Sequence, residues 1–385
     1  MKRMAWWLVV GSLLLGIFTV GANAQTLEVA GESAVLMDVA TGTVIYESNS
    51  HEKLAPASVT KVMTMLLIME AIDSGKIGWD DTVTASETAA AKGGSQIYLK
   101  AGETMSVSDM VKSIAVSSAN DCACAMAEHL AGSEGAFVEQ MNSRAKELGM
   151  HDTNFVNCTG LDDAPDAQNH KTSAYDIALM SRQLLKNHPD IKKFTTIWMD
   201  TVRGGAFGLA NTNKMVRFYS GCTGLKTGFT SGAGYCLSAS AQRDGMELIA
   251  VVMGSETSQD RFAACKSMLD YGFANFALYV PIIPEDASVE VTLGKNSRVQ
   301  AAPADRSELL VEKAKLSSVT TEILLEEVVD APVSAGQRLG TMTIKSGDQV
   351  LSQIPLVAQT AVERKNWGDI FVELLRSVCM AKPRT

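Results

Sequence analysis

The sequence predicts an α/β (α+β) fold. A large domain with an antiparallel sheet flanked by helices comes first, then a small C-terminal all-β domain and an amphipathic tail helix. Three observations carry this reading. Strand-like runs occur at both ends of residues 25–280 and enclose a helical middle, the order of a sheet closed by both ends of a domain around a helical insertion. Beyond Pro281 and Pro284 the composition shifts to short alternating runs separated by glycine turns. After residue 362, apolar residues return at helical spacing.

The elements follow in order. Met1-Lys2-Arg3, an apolar stretch from Met4 to Val20 and Ala22-Asn23-Ala24 read as a secretory signal peptide, residues 1–24, so the mature chain is expected outside the cytoplasmic membrane. The stretch is slightly short for an uncleaved anchor. Residues 33–39 and 43–47 flank Ala40-Thr41-Gly42 as a hairpin. Pro56 and its small neighbours suit a helix entry, and residues 62–68 suit its buried body. Lys92-Gly93-Gly94-Ser95 marks a loop. Helices are expected over 110–116, 122–130, 137–148 and from 172 to about 187, where Pro189 ends the last. Residues 222–230, 235–241 and 247–254 read as strands, and 261–278 as a closing helix. Residues 283–358 form the small all-β domain. Within 362–380, Trp367, Ile370, Phe371, Leu374, Leu375 and Val378 share one face, the pattern of a helix lying in a membrane interface. Docking of that face on the protein itself is the other reading.

Composition narrows the function. Hydrophobic content of 46% with 20% charged residues is that of a globular protein with a real core. A net charge of −9 argues against nucleic-acid binding, although a local cationic pocket for an anionic substrate remains open. Seven cysteines without a regular framework argue against a disulfide scaffold, and no histidine stands at ligand spacing from Cys122-Ala123-Cys124. No metal and no organic cofactor is expected.

The chemistry starts at Ser58-Val59-Thr60-Lys61. In a first helical turn the two polar side chains share a face, and a desolvated lysine could take the proton of the serine. Ser-x-x-Lys alone is weak, and it recurs in charged surroundings at Ser50–Lys53 and Ser143–Lys146. Ser118-Ala119-Asn120 breaks two buried helices; its polar groups either cap the second helix or serve a site. Lys226-Thr227-Gly228 lies in a strand bounded by glycines.

Taken together and in this order, the three motifs resemble those of the penicillin-recognising serine enzymes. The chain is similar to low-molecular-mass D-alanyl-D-alanine carboxypeptidases, with a β-lactamase/transpeptidase-like domain, over nearly its whole length. The resemblance implies that Ser58 attacks the penultimate D-alanine carbonyl of a peptidoglycan stem peptide, with Lys61 as general base and Ser118 as proton relay. It implies that Asn120 positions substrate, that Lys226 and Thr227 hold its terminal carboxylate, and that the backbone N–H groups of Ser58 and Phe229, beside Gly228, form the oxyanion hole. Arg261 falls where the family supplies a second carboxylate partner; a solvent-facing helix residue is its plainer reading. β-Lactam antibiotics would acylate Ser58.

Two departures from the pattern stand out. Phe229 replaces the histidine that some relatives carry, and no Glu-x-x-Leu-Asn stretch supplies the deacylating glutamate of class A β-lactamases. A long-lived penicilloyl-enzyme is therefore expected. Alternatives are a DD-endopeptidase using the same residues, a β-lactamase, and a non-catalytic wall-associated scaffold. The missing glutamate and the extra β domain count against the second, and four intact polar motif residues against the third.

Overall fold

A strand that is apolar on both faces belongs in the middle of a domain, covered on two sides. In the computed structural model, which describes residues 27, 29–163, 166–305 and 307–380, the large domain is built on such a sheet. The expected signal peptide, 1–24, lies outside the described residues. The strands are β1 (Ser33–Asp38), β2 (Val44–Ser48), β3 (Cys222–Thr230), β4 (Gly234–Arg243) and β5 (Met246–Ser255). Their order is β2-β1-β5-β4-β3, and every pair is antiparallel. β1 pairs with β5 from Ser33↔Met253 to Asp38↔Leu248, so the two ends of the domain meet at its centre.

The principal helices are α1 (Lys61–Asp73), α2 (Val107–Ser117), α3 (Asn120–Ala131), α4 (Glu134–Glu147), α5 (Ala174–Asn187) and α6 (Ser258–Asn275). Four begin on a hydroxyl cap: Ser106, Ser133, Ser173 and Thr257 each accept from the backbone N–H three residues on. Alternation along β1 and β5 divides the core. Leu36, Leu248 and Ala250 pack with Cys265, Met268 and Leu269 of α6. Val35, Met37, Ile249 and Val251 join the cluster of the helical insertion, with Met63, Leu66, Ile114 and Phe137.

Two expectations are corrected. The nucleophile segment is not the first turn of an α-helix: Ala57–Thr60 is a 3₁₀ turn, and the α-helix starts at Lys61. The closing helix starts earlier, at the Thr257 cap, and ends at Asn275. Phe276–Tyr279 instead pairs antiparallel with Leu309–Glu312, because its side chains serve both domains. Leu278 and Leu310 pack on the large-domain core, while Tyr279 and Leu309 pack on the small one.

The small domain holds β6 (Ser288–Thr292), β7 (Arg298–Pro303), β8 (Val319–Leu325), β9 (Val328–Asp330), β10 (Arg338–Ser346) and β11 (Gln349–Ala358). The sheet order is β8-β10-β11-β7-β6-β9, with only β6 and β9 parallel. It is β-rich, with one short helix, Lys313–Leu316. Lys345-Ser346-Gly347, which mimics the third motif, sits at the β10–β11 turn with Lys345 paired to Glu322. The last helix is α7 (Trp367–Met380), and Trp367, Phe371 and Leu374 on it are 88%, 64% and 61% exposed.

The packing yields a stability prediction. Leu248 is fully buried between the sheet and α6. Leu248→Ala should lower unfolding free energy by about 2–5 kcal/mol, read as a reduced urea midpoint with an unchanged slope.

Candidate active site

The turn before α1 sets the nucleophile. Ala57 adopts φ +47°, a conformation costly for a residue with a Cβ, and this turns half-buried Ser58 toward Lys61. Lys61 Nζ lies 2.8 Å from Ser58 Oγ and donates to Thr159 O at 2.7 Å. Lys61 is completely buried, and burial lowers its pKa to about 7 against the opposing pull of Cys158 and Asp121. A large fraction of Lys61 is therefore neutral near pH 7.

Two loop residues unannounced by any motif support this pair. Asn157 Oδ1 accepts from Thr159 N, Thr159 Oγ1 and Gly160 N, which shapes the turn that offers Thr159 O to Lys61. Gly160 has φ +81°, and a Cβ there would come within 1.8 Å of Ala57 O. The second is His170. Val156 N–H donates to its Nδ1 at 3.0 Å, leaving Nε2 to donate to Thr60 Oγ1 at 2.8 Å; that hydroxyl donates to Ala57 O, also at 2.8 Å. Burial and then the Lys61 charge push His170 down to about 4, so it stays neutral while bracing the strained turn.

The middle motif resolves its open reading. α2 ends at Ser118 in the left-handed conformation, φ +63°, and α3 begins after Ala119 with no side-chain cap. Neither polar side chain is spent on capping. Ser118 Oγ and Asn120 Oδ1 are buried without a partner among the described residues. Asn120 Nδ2 donates to Gly93 O at 2.7 Å and its backbone N–H to Ser95 O, so the glycine loop fixes this residue. Buried polar atoms left open in this way mark where a ligand's groups would fit.

The third motif lies on the edge strand β3, whose Gly228 runs against the nucleophile turn. A Cβ at Gly228 would stand 2.7 Å from Pro56 O and 3.1 Å from Ser58 N, so only glycine allows the backbones to approach. Lys226 is 1% exposed; burial, then Lys61 and Arg261, lower its pKa well below the ordinary lysine value. Burial is thus the largest influence on both lysines, and repulsion from Lys61 and Arg261 adds to it at Lys226. Thr227 Oγ1 donates to Thr212 Oγ1 at 2.7 Å, bringing in a third residue the sequence did not flag. Phe229 is 52% exposed and stacks on Tyr235 with centroids 4.2 Å apart.

Arg261 is buried rather than solvent-facing. Its Nη1 donates to Gly228 O at 2.8 Å and Cys236 O at 3.3 Å, and the guanidinium packs beside Tyr235 and Phe262. It reaches the motif strand through the backbone of Gly228. The α1 entry and β3 bring Ser58, Lys61 and Lys226 together, with Lys61 hydrogen-bonded to Ser58, Gly228 against Ser58 N and Lys61 acting on Lys226; the α2–α3 break supplies Ser118 and Asn120 with buried open atoms. No group of three or more metal-ligating side chains occurs among the described residues.

Comparison with known proteins gives the family. Residues 19–257 match the D-alanyl-D-alanine carboxypeptidase family, peptidase S11, and residues 279–364 match the C-terminal domain of penicillin-binding protein 5. The chain is 42% identical to D-alanyl-D-alanine carboxypeptidase DacF of Bacillus subtilis, covering 94% of this chain and 95% of that protein. Penicillin-binding protein 5 of Haemophilus influenzae superposes with a TM-score of 0.75 at 30% identity, over 88% of this chain and 98% of that one. Penicillin-binding protein D2 of Listeria monocytogenes, solved with ampicillin bound, gives 0.56 at 31% identity, over 64% of this chain and 99% of that one. With motifs, fold and relatives in agreement, the chain belongs to the D-alanyl-D-alanine carboxypeptidases, the penicillin-binding serine peptidases of family S11.

Proposed function

We propose that the enzyme removes the terminal D-alanine of peptidoglycan stem pentapeptides through an acyl-enzyme on Ser58, with neutral Lys61 as the base. The observation that carries this reading is the fully buried Lys61 amine 2.8 Å from Ser58 Oγ. Ser58 Oγ attacks the penultimate carbonyl while its proton passes to Lys61 Nζ. Backbone N–H groups of Ser58 and Phe229 receive the oxyanion, where Gly228 lets the two segments meet. As the C–N bond breaks, Ser118 Oγ passes its proton to the leaving amine and takes the proton held by Lys61 in its place, so D-alanine departs and Lys61 is neutral again. Water then attacks the ester, giving its proton to Lys61, and as the ester C–O bond breaks that proton passes to Ser58 Oγ, which restores the enzyme.

Lys226 and Thr227 bind the terminal carboxylate. In the free protein the buried Lys226 is disfavoured as a cation, and a substrate carboxylate supplies the counter-charge that burial denies it. Asn120 orients the peptide through its open Oδ1. Arg261 holds Gly228 in register, and the Phe229–Tyr235 pair gives the mouth an apolar rim. β-Lactams acylate the same serine. Among the described residues the hydrogen-bond acceptors of Lys61 Nζ are Ser58 Oγ and the carbonyl of Thr159, with no carboxylate, which supports slow hydrolysis of the penicilloyl ester.

The domain plan places a secretory signal peptide at 1–24, the peptidase at 25–280, the β domain at 283–358 and a membrane-anchoring helix at 362–380. Export to the outer face of the cytoplasmic membrane accords with the first and the last. Among the described residues no helix is long and apolar enough to cross a membrane, so α7 acts by lying in the interface with Trp367 and Phe371 inserted.

Two measurements test this. Intact-mass analysis after benzylpenicillin should show one stable adduct on the wild type and none on Ser58→Ala. D-Alanine release from a pentapeptide should be lost in the same variant, and for the wild type it should rise with pH through about 7 as Lys61 deprotonates. A folded wild type that releases no D-alanine would refute the reading. Separately, a chain ending at Lys365 should leave anionic vesicles that the full chain binds; retention would refute the anchor.

A further inference from the structure

Two adjacent loops, which meet where Leu161 lies against Gly94, set Lys61 and Asn120. The loop containing Gly93 and Ser95 holds Asn120 by two hydrogen bonds, and the loop containing Thr159 holds Lys61 by one. Neither loop has a regular hydrogen-bond ladder of its own, so something must keep them in register with each other. Glu134 lies between them. It stands in the first turn of α4, where the helix dipole favours a carboxylate.

One oxygen of that carboxylate, Oε2, accepts from Lys92 Nζ at 2.6 Å, the residue just before Gly93. The other, Oε1, accepts from Cys158 N at 3.3 Å and Cys158 Sγ at 3.2 Å, the residue just before Thr159. On its far side the carbonyl of Cys158 accepts from Thr64 Oγ1 at 2.6 Å, one turn beyond Lys61 on α1. The ion pair is about four-fifths buried on both sides. Burial works against both charges, yet their mutual hydrogen bond keeps Lys92 above and Glu134 below its ordinary pKa. The pair therefore stays ionised across the neutral range.

We propose that Glu134 is a positioning residue, and that the Lys92–Glu134 ion pair is the clasp that keeps the Asn120 loop and the Lys61 loop in register. The inference rests on the carboxypeptidase reading above, because it assigns Glu134 a role in delivering Lys61 and Asn120 to the substrate. Without the clasp the Thr159 turn loosens, and Lys61 loses the carbonyl that best stabilises its protonated form. Its pKa then falls further, while the substrate contacts made by Asn120 become less well aligned.

The test compares wild type, Glu134→Gln, Lys92→Met and Lys92→Arg in acylation by benzylpenicillin across pH 5–9, with urea unfolding as a control. Glu134→Gln and Lys92→Met should each slow acylation roughly tenfold at the plateau. Both should also move the acid limb of the profile to lower pH. Lys92→Arg, which keeps the ion pair, should retain the wild-type plateau and limb. Variants that lose stability but keep the wild-type profile would overturn the clasp, as would Lys92→Arg behaving like Lys92→Met. Absence of acylation in the wild type itself would instead overturn the carboxypeptidase reading.

Discussion

Burial of one lysine amine is the constraint on which the site depends. An ordinary lysine is a cation at neutral pH and cannot accept the proton of a serine. Enclosing Lys61 completely lowers its pKa to about 7, and that environment is assembled from distant segments. The strained turn at Ala57 brings Ser58 to it, the Asn157–Gly160 turn brings a single carbonyl, and β3 closes the remaining side through Gly228. Replacing that carbonyl by a carboxylate would keep the lysine charged, so the modest acceptor is part of the chemistry.

The electrostatics of the two lysines divide the labour. Both are buried, and each would be repelled by the other if both were charged. The structure offers Lys61 a carbonyl and a hydroxyl, and among the described residues it gives Lys226 the neighbouring backbone carbonyl of Thr227. An incoming carboxylate therefore finds its charge complement at Lys226, and the base at Lys61 remains available. Neutral His170 belongs to the same logic. A polar residue that stays uncharged can brace the nucleophile turn without adding a positive charge beside the two buried lysines.

Much of the site was legible in the sequence because its reactive residues sit in short local patterns. Ser58 and Lys61 share one turn, Ser118 and Asn120 share one helix break, and Lys226 to Phe229 share one strand. The antiparallel sheet and the helical insertion followed from the order and periodicity of the apolar runs, whereas the Thr257 cap that starts the closing helix was not read. What sequence did not reveal lies in tertiary placement. Thr159 contributes a backbone carbonyl, which any residue type provides. Glu134 looks like an ordinary acid in the first turn of a helix, and His170 like a loop residue. Gly160 was the one available signal, since a glycine within a polar loop points to a close approach. The swap of Phe276–Tyr279 from helix to strand was hidden for a similar reason: it is decided by its pairing with Leu309–Glu312 far along the chain.

The most direct test of the central claim is a titration of Lys61 itself, by NMR of the intact protein carrying isotope-labelled lysine, with Lys61→Arg used to assign the resonance. A midpoint near 7 is the result this account requires. A Lys61 that remains protonated to the ordinary lysine range would contradict it, because the buried amine could not then serve as the base for Ser58.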